Sequence, residues 1–314
     1  MKIALILDPL DGLQTYKDSS LAIMREAARR GHALFVAEQS GLLLRNGIAK
    51  LQASTFEFHE GATWYRLGEK TEHAPADFDA IIMRKDPPFD SEYVYSTYLL
   101  ELAEQQGARV FNRPQSIRDW NEKLSVARFP QFAPEFLVTR SSDEIREFLA
   151  KHGDIVVKPL DGMGGSGVFR LHAADHNIGV ILETITHYER RTVMAQRYLP
   201  EIKAGDKRIL VIDGVPLPYA LARIPKAGET RGNLAAGGTG VAQPLTARDR
   251  EIAETIGPAL KKAGLFLVGL DVIGDHLTEI NVTSPTCMVE IAAQTDCDPA
   301  QLFVDALERT CNAG

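Results

Sequence analysis

Short apolar runs and capped polar stretches alternate through the first third of the chain. Ile3-Ala-Leu-Ile-Leu7 reads as a buried strand, and Asp18-Ser19-Ser20 supplies a cap for a helix ending near Gly31. Asn46-Gly47, set between a leucine-rich and an alternating segment, predicts a hairpin. Ala80-Ile-Ile-Met83 reads as a buried strand, Glu92 to Gln106 as a helix stopped by Gly107, and Arg109-Val-Phe111 as the next strand. After Asn112-Arg-Pro114 a helix is predicted to run through Asn121-Glu-Lys123. Strand and helix in alternation make an α/β unit. From there the pattern changes to hairpins separated by glycine-rich loops, which puts a boundary near residue 122.

The sharpest pattern lies in Gly269-Leu-Asp-Val-Ile-Gly-Asp-His-Leu-Thr-Glu-Ile-Asn-Val282. With Gly274-Asp275-His276 as the turn, Ile273 faces Leu277, Asp271 faces Glu279, and Asn281 sits diagonally from Asp271. Side chains alternate faces along a strand, so Leu270, Val272, Thr278, Ile280 and Val282 form a mostly apolar back. Asp271, Glu279 and Asn281 share the front. Two carboxylates and an amide oxygen suit Mg²⁺ or Mn²⁺, which commonly leave positions for water and nucleotide phosphates. A set without thiol or imidazole disfavours zinc. The hairpin alone leaves open an ordinary solvated polar face.

Further chemistry precedes it. Asp154-Ile-Val-Val-Lys158-Pro159 reads as a strand, then comes a loop carrying Gly162, Gly164, Gly165, Ser166 and Gly167, then a second strand over Val168-Phe-Arg-Leu171. The glycines fit G-x-G-x-x-G with Glu183 about 20 residues on, but a dinucleotide fingerprint needs a helix directly after the loop. An oxidoreductase of that class is therefore disfavoured, and a P-loop lacks its Gly-Lys-Ser/Thr. A glycine flap between strands remains, able to lay backbone N–H groups on phosphates, with Lys158 and Lys123 as nearby positive charges. Met194-Ala-Gln196-Arg-Tyr198-Leu199-Pro200 ends a strand where exposed backbone groups suit an adenine edge. Asp206 to Gly214 opens another hairpin, placing Arg208 where a planar, permanently charged donor meets phosphate or carboxylate. Ile224 to Gly240 holds five glycines in 17 residues without a sustained period, which predicts a mobile lid, and Arg223 precedes it, placed to bind a substrate carboxylate.

Composition narrows the partners. The 314 residues are 45% hydrophobic and 25% charged with a net charge of −7, a soluble globular balance with no basic footprint for nucleic acid. The opening apolar run is too short for a signal peptide and no membrane-length stretch follows, so the expectation is a cytoplasmic protein. Cys287, Cys297 and Cys311 lack a C-x-x-C spacing, and Cys287 reads as a packing residue.

Taken together, Asn121-Glu-Lys123, Lys158-Pro-Leu-Asp-Gly-Met-Gly-Gly165, Gly205-Asp-Lys-Arg208, Arg231-Gly-Asn-Leu-Ala-Ala-Gly-Gly238 and Glu279-Ile-Asn-Val-Thr-Ser-Pro285 closely resemble the prokaryotic glutathione synthetases of the ATP-grasp superfamily. Met83-Arg-Lys-Asp-Pro-Pro-Phe-Asp90 resembles the same family, and the match spans nearly the whole chain. The resemblance implies an N-terminal α/β pre-ATP-grasp domain over 1–122 and two α+β ATP-grasp subdomains over 123–199 and 200–314, with ATP between them. It implies ligation of γ-glutamylcysteine to glycine. Another ATP-grasp carboxylate-amine ligase and a non-catalytic ATP sensor are the alternatives. By matching motif, Lys123 and Lys158 contact nucleotide phosphates beneath the loop Gly162 to Gly167, Gln196 to Leu199 line the adenine pocket, and Asp206 lies near the ribose. Asp271, Glu279 and Asn281 hold Mg²⁺, while Arg208 and Arg223 face the reacting carboxylate and the peptide. The family also suggests a homotetramer. This chain departs from it at Met288-Val289, where relatives often read Ile-Arg, and at Gly165-Ser-Gly167, where they read Gly-Ala-Ser.

Overall fold

Three sheets carry the chain in a computed structural model that describes every residue except 62, 227, 229–231, 233, 235–236 and 314. The first sheet runs in the order Leu42–Arg45, Ile48–Phe58, Ala33–Glu38, Lys2–Leu7, Ala80–Met83, Val110–Phe111, with two short strands added to Ile48–Phe58. Lys2–Leu7 is parallel to both its neighbours. A parallel strand covered on both faces needs no polar side, which explains its continuous apolar run. Ile3, Leu5 and Leu7 pack on one face against the helix Ser19–Arg29, whose N-cap Asp18 accepts from Leu21 N–H. Ala4 and Ile6 pack on the other, beneath the helix Ser91–Gln105.

The second sheet is antiparallel, in the order Phe169–His172, Asp154–Pro159, Val193–Arg197, Phe136–Thr139. Helices Ser142–His152 and Ile178–Ile185 fill its back. A strand, not a helix, follows the glycine loop, as expected.

The third sheet runs Thr239–Pro244, Val215–Ile224, Asp206–Ile212, Leu267–Ile273, His276–Asn281. Ile209 and Val211 face the helix Ala247–Lys262, while Leu210 and Ile212 face the C-terminal helices Met288–Gln294 and Pro299–Asn312. Asp206 and Arg208 share the parity of Leu210 and Ile212, so this face changes along its length from apolar to charged. The apolar end packs, and the charged end opens to the cleft. The two C-terminal helices also return to Ser19–Arg29, where Arg30 pairs with Asp305 at 2.6 Å and Glu308 at 2.9 Å.

Buried Asn112 joins the first and third sheets. Its Nδ2 donates to the Leu267 and Val282 carbonyls, both at 2.8 Å, and its Oδ1 accepts from Phe266 N–H at 2.6 Å and Leu267 N–H at 2.8 Å. Every hydrogen-bonding atom of this carboxamide has a partner.

Three expectations need correction. The helix after Asn112 covers only Pro114–Asp119. Asn121 takes the backbone N–H groups of Lys123 and Leu124 on its own Oδ1, the local competition by which an Asn side chain diverts a helix. The hairpin over Leu267–Asn281 turns on Gly274-Asp275 alone: Ile273 faces His276 and Val272 faces Leu277, and a bulge then restores the predicted pairing of Asp271 with Glu279. Leu277 consequently takes the place on the apolar back predicted for Thr278. Finally, beyond residue 122 the described residues carry five α-helices among the hairpins. The predicted lid is bounded by strands ending at Ile224 and starting at Thr239, and its residues 227, 229–231, 233 and 235–236 lie outside the described residues.

Candidate active site

A cleft of about 320 Å³ opens between the second and third sheets, with the rim of the first sheet along one side. It is lined by every residue singled out from the sequence except Gly167: Lys123, Lys158, Gly162, Gly164, Gly165, Ser166, Gln196, Tyr198, Leu199, Asp206, Arg208, Arg223, Asp271, Glu279 and Asn281. Gly232 and Leu234 of the predicted lid also reach it.

One end is apolar and edge-like. Val156, Leu199, Ile202 and Ile273 supply walls, and Gln196, on the strand Val193–Arg197, is buried with its Nε2 lacking a partner among the described residues. A buried amide N–H without an acceptor is costly, and a heteroaromatic ring nitrogen is a fitting one. Arg170 lies 3.7 Å over the Tyr198 ring and is anchored to Asp154. The glycine loop roofs this end. A Cβ on Gly162 would meet Pro159 Cγ at 2.7 Å, so the loop's approach to the strand end requires glycine there.

The other end is a chain of buried charges. Arg208 holds Asp271 through Nε to Oδ1 at 2.7 Å and Nη2 to Oδ2 at 2.9 Å, a two-point grip that planar guanidinium makes well. Arg223 bridges Asp271 at 2.9 Å and Asp206 at 2.5 Å. Lys123 donates to the Gly162 carbonyl at 2.6 Å and to Glu279 at 3.0 Å, and Lys158 donates to the Thr278 carbonyl at 3.1 Å. Both arginines are buried and ion-paired.

Burial and pairing compete here, with different winners. Burial pushes the Asp271 carboxyl up, but Arg208 and Arg223 together hold it well below the usual carboxylate range. Burial likewise opposes ionisation of Glu279, and Lys123 with Lys158 reverses that. Asp206 is raised to about 6, because burial and the neighbouring Asp271 outweigh its arginine partners. Lys158 is pushed down to about 8 by burial, against the pull of Glu279. Burial also raises Glu122, whose Oε1 accepts from Val282 N–H at 3.0 Å and from Thr283 N–H at 3.1 Å.

Sequence reasoning passed over Glu122, Arg170 and Asp86 as cleft residues. Arg170 belongs to a predicted strand, and period-2 alternation alone does not reveal that it leans on Tyr198. Cys287 lines the cleft but is buried, and burial raises its thiol, in keeping with a packing role.

Residues 1–118 match the family model described as prokaryotic glutathione synthetase, N-terminal domain, and residues 122–296 match the model for its ATP-grasp domain. A glutathione synthetase of Nitrosomonas europaea is 61% identical over 314 residues, covering 98% of each chain. Its counterpart in Pseudomonas aeruginosa is 54% identical, covering 98% of this chain and 97% of that one. Among solved structures, the D-cycloserine synthetase DcsG superposes with a TM-score of 0.69 at 15% identity, covering 99% of this chain and 100% of that one. The ATP-grasp ligase PsnB, complexed with a minimal precursor, Mg and ADP, gives a TM-score of 0.63 at 18% identity, covering 99% and 98%. At such identities these two speak for the fold alone.

Proposed function

The chain belongs to the prokaryotic glutathione synthetase family, and on that premise we propose that its cleft joins γ-glutamylcysteine to glycine with ATP as co-substrate, giving glutathione, ADP and phosphate. The carrying observation is the convergence of Lys123, Lys158, Arg208 and Arg223 with Asp206, Asp271 and Glu279 in one cleft. Positive charge is held where a triphosphate and a carboxylate must meet.

A carboxylate acylates an amine poorly because its leaving group is oxide. Attack of the cysteinyl carboxylate on the ATP γ-phosphorus forms an acyl phosphate and expels ADP. Glycine's amine then adds to the acyl carbon, and phosphate leaves. In this reading Lys123 and Lys158 bind phosphate oxygens, backbone N–H groups of Gly162 to Gly167 cover them, and Arg208 with Arg223 positions the carboxylate and offsets its charge. Gln196, Tyr198 and Leu199 hold the adenine, Asp206 lies near the ribose, and closure of the segment 224–240 keeps water from the mixed anhydride.

The donor set also fits a hard divalent cation. Asp271 and Glu279 offer carboxylate oxygens, and Asn281, whose Nδ2 is tied to the Gly269 carbonyl at 3.1 Å, keeps its Oδ1 as a ligand atom. Bound there, Mg²⁺ or Mn²⁺ supplies charge stabilisation to the phosphate oxygens. Among the described residues no three His, Cys, Asp or Glu side chains gather as a metal cage. Arg208, Arg223 and Lys123 now pair with the same carboxylates. Exchanging those partners for cation and phosphate keeps every charge compensated.

Among the described residues no helix is long and apolar enough to cross a membrane. On the family resemblance we place the reaction in the cytoplasm and the chain in a homotetramer. The reading is tested by ADP release with ATP and Mg²⁺, adding γ-glutamylcysteine and glycine singly and together. Turnover only with both, with tripeptide as product, is expected. Turnover with a different carboxylate and amine would make it another ATP-grasp ligase, and ATP binding without turnover a sensor.

A further inference from the structure

Asp8 and Asp86 follow the adjacent parallel strands Lys2–Leu7 and Ala80–Met83. Both therefore stand at the carboxyl ends of the first sheet, where open α/β sheets place ligands. The two are tied together. Asp86 N–H donates to Asp8 Oδ2 at 2.9 Å, and Lys85 Nζ reaches Asp8 Oδ1 at 2.8 Å and the Asp86 carbonyl at 2.6 Å. This fixes the backbone of Asp86, which lines the cleft with Pro87, Ser284 and Thr286.

The neighbouring cations make their bonds elsewhere, although Arg84 keeps a buried Nη1 without a partner among the described residues and its charge partly offsets the effect of burial on Asp86. Lys85 is on Asp8, and Arg84 donates through Nε to Ser20 Oγ and through Nη2 to the Pro285 carbonyl, both at 2.9 Å. Among the described residues the Asp86 carboxylate makes no ion pair, and burial pushes it above the usual carboxylate range. A partly desolvated carboxylate on a ligand cleft gains most from a cation that the ligand brings.

We propose that Asp86 receives the α-ammonium group of the γ-glutamyl residue and so determines specificity for the peptide substrate. This rests on the ligase reading above. The substrates carry two amines, and their chemistry separates them. Glycine's must lose its proton to attack, whereas the γ-glutamyl ammonium stays charged throughout. The reacting carboxylate and that ammonium are opposite ends of the dipeptide, and likewise Arg223 lies on a strand of the third sheet while Asp86 follows a strand of the first. Asp8 and Lys85 act as positioning residues, through the backbone of Asp86.

The test compares γ-glutamylcysteine with glutarylcysteine, the same peptide without the α-amino group, in the full-length enzyme and in Asp86→Asn. The wild type is expected to prefer the amino substrate by about 100-fold in kcat/KM, as for loss of one charge-assisted contact. In Asp86→Asn the KM for γ-glutamylcysteine rises by a similar factor and the preference falls below about tenfold, while the glycine KM and the affinity for a non-hydrolysable ATP analogue stay within about twofold. Intact analogue binding shows that the variant is folded, and Asp86→Glu should recover part of the preference. A preference that survives in Asp86→Asn, or a defect confined to glycine KM or to kcat, overturns the proposal. If the wild type forms no tripeptide, the ligase reading falls instead.

Discussion

Glu279→Gln is expected to lower kcat by about 10²- to 10³-fold, the usual cost of removing a charge that organises a phosphoryl-transfer site. Its thermal midpoint should fall by only a few degrees, corresponding to roughly 1–2 kcal/mol. The amide keeps the shape of the carboxylate and an oxygen for Lys123, which also retains the Gly162 carbonyl at 2.6 Å. What disappears is the negative charge that Lys123 and Lys158 hold ionised. Steady-state kinetics beside calorimetry separates the two effects, and near-normal turnover would remove Glu279 from the reaction centre. Arg208→Ala is a less clean variant. It strips Asp271 of its two-point partner in a buried position, leaving Arg223 alone to compensate it, so stability and turnover fall together.

The second large effect concerns Lys158 and has a pH signature. Its folded value of about 8 lies below the ordinary lysine value of 10.5, so burial of the charged form opposes folding at neutral pH. That penalty is present below about 8 and is relieved as pH rises from there to the unfolded value. Bound phosphate stabilises the ammonium and reverses the balance. Affinity for a non-hydrolysable ATP analogue should therefore weaken as pH climbs through about 8, approaching about tenfold per pH unit while binding takes up one proton. Lys158→Met should lose about 10- to 100-fold in affinity at pH 7, show no such slope, and melt no lower than the wild type. Calorimetric titration between pH 7 and 9.5 reads all of this; a flat wild-type profile would show that Lys158 does not bind the nucleotide charged.

Much of the site was legible because its residues sit on strands with strong patterns. The pairing of Asp271 with Glu279 follows from alternation on either side of a glycine turn, even though the turn itself is one residue shorter than the sequence suggests. A bulge inserts a residue where Thr278 suits either face, and nothing local announces it. The helix Ala247–Lys262 was missed although its signals are present: Thr246 and Asp249 form a capping box, and Ile252, Ala253, Ile256 and Leu260 recur at helical spacing. Other features are beyond any local pattern. Arg208 and Asp271 are 63 positions apart, Lys123 and Glu279 are 156, and Asn112 ties strands more than 150 residues away. Sequence reading brought these side chains to one cleft by chemistry and resemblance. Only the fold shows that its carboxylates and cations pair with one another.

The central claim is that the cleft activates a carboxylate by phosphorylation. It is tested most directly with γ-glutamylcysteine carrying ¹⁸O in both oxygens of its cysteinyl carboxylate. If the acyl phosphate forms, each turnover delivers one labelled oxygen to the product phosphate and leaves the other in the new amide carbonyl of glutathione. Phosphate released without label, alongside tripeptide formation, would contradict the account.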